Sequence, residues 1–320
     1  MTPKVSISCI TYNQKSYIAD AIESFLNQKT DFDFEIIIHD DASTDGTTEI
    51  VKRYENLYPD KIIGIYQSEN QFSKDININP TYVYPKCRGD YIALCEGDDY
   101  WCDEYKLQKQ VDYMEKHPEC SFCFTNGYIY NTVNKTMRDF LPYGKESRSL
   151  VSESRQMDLG ENIQLSFIPT ASFLFTRKVA LQLPEYFKKK CSKGDLKTRL
   201  FMIGQNKAYY LSDKTVVYRE NAIGSVMTSW CGYDKRKMYQ HNESIVDMLN
   251  HLNEFTNYCY KQELQPLIDE HIKEVLFNAA GLKILQNEQY REVYKAMNYH
   301  DKIKFYAKLI LPENIYHKKK

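Results

Sequence analysis

Over roughly the first 120 residues, short apolar runs rich in β-branched side chains alternate with amphipathic helical stretches. That alternation leaves few folds open. KVSISCITYN has strand composition and ends in a turn. YIADAIESFLNQ puts Ile18, Ala21, Ile22, Phe25 and Leu26 on one helical face. FEIIIHDDAS is a continuous apolar run, the mark of a strand covered on both faces. TDGTTEIVKRYENLY reads as a second amphipathic helix, KIIGIYQSE as a third strand and DYIALCEGDD as a fourth. Between the last two, PTYVYPKCR carries only a weak helical pattern. Strand–helix alternation predicts an α/β fold: a doubly wound, mostly parallel, Rossmann-like sheet with right-handed crossovers and helices on its faces.

Beyond it, SFCFTNGYIYN, TASFLFTRK and AYYLSDKTVVYRE read as strands and KGDLKTRLFMIGQNK as a helix. From about residue 236 the periodicity is helical throughout. The expected divisions are 1–125, 126–235 and a helical C-terminal region, 236–320. Lys plus Arg is 42 and Asp plus Glu is 43, so no basic surplus points to bulk binding of nucleic acid. Nine cysteines are scattered, and the one C-x-x-C spacing, Cys120 to Cys123, falls in a run that alternates like a strand. They read as reduced thiols of a cytoplasmic protein. No signal peptide and no apolar stretch of spanning length is visible.

Open parallel sheets bind ligands at the carboxyl ends of their strands. Three strands here end in polar clusters: Thr11-Tyr12-Asn13, Asp40-Asp41 and Glu96-Gly97-Asp98-Asp99. If the strands are parallel, all three meet on one edge. DDASTDGT imitates the start of a calcium loop from Asp41, but its twelfth position is Lys52 where a bidentate Glu is required. Ser43 or Asp45 capping the next helix, with Gly46 easing the turn, accounts for most of the segment. Asp40 is left needing a donor, such as a base N–H or ribose hydroxyl on a ligand. Neither G-x-G-x-x-G nor a P-loop occurs. Bound phosphates would therefore need a cation, and Glu96, Asp98 and Asp99 are hard oxygen ligands suited to Mn²⁺ or Mg²⁺.

VSISCITYNQKSYIADAIESFLNQ, FEIIIHDDASTDGT and GDYIALCEGDDYW, in this order and spacing, resemble family 2 glycosyltransferases of the GT-A fold. The resemblance covers about residues 4–130 closely and about 165–228 more loosely. It implies an inverting enzyme that uses a nucleotide-diphospho-sugar, a UDP-sugar first among them, and a glycan or lipid-linked acceptor, in surface polysaccharide or lipopolysaccharide assembly. The resemblance places the base against Thr11, Tyr12 and Asn13, with Asp40 accepting from it and Asp41 alongside. Glu96-Gly97-Asp98 stands as the family's DxD element, with Asp98 and Asp99 toward metal and diphosphate. Gly194-Asp195 opens a helix in the second half, as a catalytic base does in similar proteins, although Asp195 also fits a plain helix cap.

The family's Y-R-x-H is Tyr218-Arg219-Glu220-Asn221 here, so Asn221 replaces a His at a metal position, and Arg219 either faces diphosphate or is structural. GSVMTSW, Gly224 to Trp230, is a candidate lid. Pro169-Thr170-Ala171-Ser172 is a candidate acceptor rim. His39 reads as a packed core residue, and Arg88 as either a phosphate contact or a solvated side chain. The Lys-rich end, closing in KKK, is a solvated terminus or a peripheral contact with anionic lipid. The C-terminal helices fit packing on the catalytic part, homodimerisation or approach to a membrane. Two other functions share this pattern: a nucleotidyltransferase acting on a sugar phosphate, and a sugar-binding module that has lost activity.

Overall fold

The computed structural model describes residues 2–143, 148–223 and 234–310. The proposed lid, Gly224 to Trp230, and the last ten residues lie outside them. The chain forms two compact units. One comprises Met1–Lys190 with Gly194–Trp230, and the other Cys191–Lys193 with Cys231–Lys320.

The first unit opens with β1 (Val5–Thr11), α1 (Ile18–Leu26), β2 (Phe34–Asp40), α2 (Thr47–Leu57), β3 (Ile62–Tyr66) and β4 (Tyr91–Glu96). It continues with β5 (Tyr100–Trp101), α3 (Lys106–Lys116), β6 (Cys120–Asn131), β7 (Thr136–Asp139) and β8 (Arg155–Met157). It closes with α4 (Leu159–Ile163), β9 (Leu174–Thr176), α5 (Arg177–Leu181), α6 (Gly194–Ile203) and β10 (Lys207–Glu220).

One sheet runs β3-β2-β1-β4-β9-β6-β10-β5, with β7 added beside β6 and β8 beside β10. The four N-terminal strands are mutually parallel. Antiparallel pairing enters through the short strands β5, β7, β8 and β9. All seven residues of β2 are buried, as expected of a strand covered on both faces. Helix α1 turns Ile18, Ala21, Ile22 and Phe25 onto the same core. The weak pattern near residue 80 becomes short helical turns over Asn79–Val83 and Tyr84–Lys86.

Arg88 keeps a solvated side chain, 59% exposed, yet has a partner. It lies before β4, at the amino edge of the sheet, and pairs through Nη2 with the buried Glu35 at 2.7 Å. Ser6 Oγ donates to the same carboxylate at 2.6 Å, which satisfies a charge that would otherwise be buried alone. His39 is fully buried, as a core residue should be. Its ring stacks on Tyr82, and its Nε2 lies 3.0 Å from Gln67 Nε2. All eight described cysteines are free.

The second unit is helical: α7 (Lys235–Phe255), α8 (Lys261–Phe277), α9 (Glu288–Ala296) and α10 (Tyr299–Ile310). Its core includes Ile245, Leu249, Leu252, Ile268, Ile272, Leu276 and Phe305. No helix among the described residues is long and apolar enough to cross a membrane.

Candidate active site

Strand order 3-2-1-4 sets the ends of β1, β2 and β4 side by side. Thr11 is in register with Asp40, and Ile10 with Glu96. The Asp41 amide donates to Thr11 O at 3.0 Å, and the Gly97 amide to Ile10 O at 2.9 Å. The three polar clusters therefore share one edge.

The turns after β1 and β2 are laced together by their own polar atoms. Asn13 has φ +52 and accepts the Thr44 amide at 2.8 Å, while its amide donates to Ser43 Oγ at 2.9 Å. Asp45, one residue before the N-cap Gly46 with φ +101, accepts the amide of Thr47, the first residue of α2, at 3.0 Å. Ser43 therefore serves Asn13, not the helix. Asp40 does not need a ligand to satisfy it, because its carboxylate takes the Ser43 amide at 3.1 Å and the Thr48 hydroxyl. The reason is local. A residue starting such a turn finds donors three and eight positions on. Asp41 takes the Gln71 and Phe72 amides at 2.8 and 3.0 Å, and so holds the loop after β3. Thr11 donates to Gln14 Oε1 at 2.8 Å, whereas the Tyr12 ring is 41% exposed, open to stack on a planar ligand.

The turn after β4 is the most strongly charged feature. Gly97 is required there: a Cβ would lie 2.6 Å from Gln14 Oε1 and 2.8 Å from Thr11 Oγ1. Glu96 and Asp98 are half-buried and Asp99 is buried. Desolvation first, then the charges of Asp98 and Asp195, push the Glu96 carboxyl up to about 8, against a hydrogen bond from Thr170. Burial also raises Asp98, opposed by Arg219 and by a hydrogen bond from Gln14. Asp99 is raised well above the carboxylate range by burial and by Asp98 and Glu96. Three acids thus share a region poor in positive charge.

Arg219 closes this turn from behind. Its amide donates to Asp99 Oδ1 at 2.8 Å and its Nη1 to Asp98 O at 2.9 Å. Its Nη2 pairs with Asp20, and its guanidinium sits 5.1 Å from the Tyr17 ring and 4.6 Å from the Tyr100 ring. With those partners its side chain is only 8% exposed, so it is fixed as a clamp on the acidic turn. Sequence reasoning missed Gln14, Tyr17, Asp20 and Tyr100. Their only signal is their position just after β1 and just after the acidic turn.

Asp195 lies in the first turn of α6, and its charge reaches both Glu96 and Arg199. Arg199 is buried and donates through Nη2 to Ser166 O at 3.1 Å. The 169–172 segment forms a short helical turn whose floor is fixed from below. Trp101 Nε1 donates to Ala171 O and Gln110 Nε2 to Ser172 O, each at 2.9 Å. Lys106, fully buried, donates to Gln110 Oε1 at 2.6 Å. Asn221 is exposed at φ +61 just past β10, and its side chain makes no hydrogen bond to the three acids. Among the described residues, no group of three His, Cys, Asp or Glu converges as a ready-made metal site.

The architecture is that of GT-A glycosyltransferases. The fold matches the crystal structure of S. aureus TarS 1-349 in complex with UDP-GlcNAc, with a TM-score of 0.63 and 15% identity, over 96% of this chain and 89% of that one. It also matches the mannosyltransferase PcManGT of Pyrobaculum calidifontis in complex with GDP-Man and Mn²⁺, with a TM-score of 0.55 and 15% identity, over 98% and 88%. At such identity the likeness establishes the fold alone. The chain belongs to glycosyl transferase family 2, whose family model matches residues 6–183. A curated relative is the Escherichia coli UDP-Glc:alpha-D-GlcNAc-diphosphoundecaprenol beta-1,3-glucosyltransferase WfaP, 35% identical over 125 residues, 39% of this chain and 46% of that one. The chain spans about half the length of the curated relatives it matches.

Proposed function

We propose that the chain transfers a sugar from a nucleotide-diphospho-sugar to a hydroxyl of a glycan or lipid-linked glycan, with inversion at the anomeric carbon, in polysaccharide assembly. The observation that carries this reading is the acidic turn at the carboxyl edge of the sheet, beside the β1 and β2 turns and within the field of Asp195. A UDP-sugar is the favoured donor. TarS was solved with UDP-GlcNAc, and WfaP is named for UDP-Glc. WfaP's name also supplies the acceptor class, a diphosphate-linked lipid glycan.

In this reading the nucleoside lies along the turns after β1 and β2, with Tyr12 as its exposed ring. Asp40 and Asp41 support that floor through their backbone donors. Arg219 holds Asp98 and Asp99 in place. The donor set suits a hard divalent ion, since Mg²⁺ and Mn²⁺ use one or two carboxylates and take the rest from phosphates and water. Asp98 and Asp99 would hold it, with Asn221 as the third candidate ligand. Such an ion supplies electrostatic stabilisation of the departing nucleoside diphosphate. Asp195 accepts the proton of the acceptor hydroxyl as that oxygen attacks.

Asp195→Asn tests the assignment. Transfer should fall to background while donor affinity, measured by calorimetry with Mn²⁺, stays at the parent value. Surviving transfer would remove Asp195 from the mechanism. A melting-temperature screen of UDP-, GDP-, CMP- and dTDP-sugars with and without Mn²⁺ identifies the nucleotide, because a ligand of the folded state raises the midpoint.

A further inference from the structure

Beneath the 169–172 segment lies a buried ammonium to which the sugar-transfer reading gives no part. Lys106 opens α3 and is fully buried, as are Gln110, Ala171 and Ser172. Its Nζ donates to Gln110 Oε1 at 2.6 Å and stands 4.3 Å from the centre of the Trp101 ring. The neighbouring acids are engaged elsewhere: Asp103 pairs with Lys109 at 2.7 Å and Glu104 with Lys29 at 2.8 Å. The charge therefore rests on an amide oxygen and a ring face. A cation buried without a carboxylate costs stability, and a methionine would fill the space without that cost. Stability does not explain the lysine; the direction of its neighbours' hydrogen bonds does.

The two groups that Lys106 touches are the two donors that hold the segment above. Gln110 Nε2 donates to Ser172 O and Trp101 Nε1 to Ala171 O, each at 2.9 Å. A lysine can only donate, so it selects the oxygen end of the Gln110 amide and turns the nitrogen end toward Ser172 O. Trp101 follows Asp99 by two residues, and Thr170 sits beside Glu96, the acid that also feels the charge of Asp195. Lys106 thus joins the strand leaving the acidic turn to the underside of the segment that carries Thr170.

We propose that Lys106 is a positioning residue for the acceptor: through Gln110 and Trp101 it fixes the Ala171 and Ser172 carbonyls, and with them the face that Thr170 offers to the acceptor beside Glu96. This role rests on the sugar-transfer reading and adds to it a group that touches no reacting atom. Asp98 and Asp99 are held by Arg219 instead, so donor binding does not depend on Lys106.

The test uses two variants of the full chain. Gln110→Glu keeps the size and leaves an oxygen for Lys106, but sets a second oxygen against Ser172 O. Lys106→Met removes the ammonium. With UDP-Glc and a GlcNAc-diphospholipid, the pair for which WfaP is named, each variant should lose more than roughly tenfold in kcat/KM for the acceptor, because small displacements of a positioning segment are costly. UDP affinity, measured by calorimetry with Mn²⁺, should stay at the parent value, and Lys106→Met should melt no lower than the parent. Hydrogen exchange over residues 165–176 should quicken in both, since the Ser172 and Phe173 amides there donate to Pro169 O and Thr170 O. Parent-like transfer by both variants overturns the proposal. Loss of UDP affinity and melting temperature in step with transfer also overturns it, by assigning Lys106 to the framework alone. A parent chain that transfers nothing with this pair is a failure of the sugar-transfer reading, and exchange then decides. Parent-like exchange over 165–176 refutes the positioning network, and faster exchange confined to that segment upholds it.

Discussion

Gly97→Ala is the sharpest probe of how the acidic turn is held. The added Cβ would stand 2.6 Å from Gln14 Oε1, 2.8 Å from Thr11 Oγ1 and 2.9 Å from Ile18 Cδ1. Ordinary contact begins near 3.4 Å, so the three approaches fall short by about 0.5 to 0.8 Å. None of the neighbours yields cheaply. Gln14 and Thr11 are hydrogen-bonded to each other at 2.8 Å, and Ile18, the first residue of α1, is fully buried. The turn itself must move outward, stretching the 2.9 Å bond from the Gly97 amide to Ile10 O and displacing Asp98 and Asp99. Overpacking of this kind costs about 1–3 kcal/mol, or roughly 2–10 °C in melting temperature for a unit of this size. The functional cost should be larger, because a misplacement approaching 1 Å lowers turnover by on the order of a hundredfold. Calorimetric denaturation and a transfer assay on the same preparation separate the two effects. Parent-like melting together with parent-like transfer would refute the close packing of this turn on β1 as the source of its geometry.

Arg219→Lys should weaken Mn²⁺-dependent donor binding and lower stability by about 1–2 kcal/mol. A lysine keeps a charge near Asp20 but loses the Asp98 carbonyl bond and the stacking between two tyrosines. Unchanged affinity by calorimetry would deny Arg219 its clamping role. Lys106 is pushed down to about 7 by burial, so between about pH 7 and the usual lysine range the unfolded chain binds the extra proton. Stability should therefore rise with pH across that window, and Lys106→Met should flatten the slope and stabilise the fold near pH 7 by a few kcal/mol. A parent-like urea midpoint profile for the variant would contradict this. His271 is pushed down to about 4 by burial and by Lys193 and His241. Acidification from about pH 6.5 to about 4 should cost up to roughly 2–3 kcal/mol, as the unfolded chain takes a proton the folded one refuses. His271→Gln should remove that slope in a melting series, and an unaltered slope would place the acid sensitivity elsewhere.

The N-terminal sheet could be read from the sequence because its signal is local. Ile36 to Ile38 form a buried run, and α1 repeats its apolar residues at helical spacing. Parallel pairing then carried Thr11, Asp40 and Glu96 to one edge without any knowledge of side chains. What escaped depends on pairs far apart in the chain. Arg219 clamps Asp98 from 121 positions away, and Arg88 neutralises Glu35 from 53. No periodicity records such contacts. Asp40 is the opposite case, since its donors, Ser43 and Thr48, lie within a few residues. An Asx-turn reading of DDASTDGT would have found the first of them.

The same geometry divides the acidic turn by function. Asp99 is buried with one oxygen on the Arg219 amide, and the Asp98 carbonyl is pinned by the same guanidinium. Their placement is fixed before any ligand arrives, which reduces the ordering that binding must achieve. Glu96 is anchored differently. It faces the 169–172 segment, which Trp101 and Gln110 support, and its charge is opposed by both Asp98 and Asp195. Positive charge delivered to Asp98 and Asp99 would relieve that repulsion and lower the affinity of Glu96 for its proton.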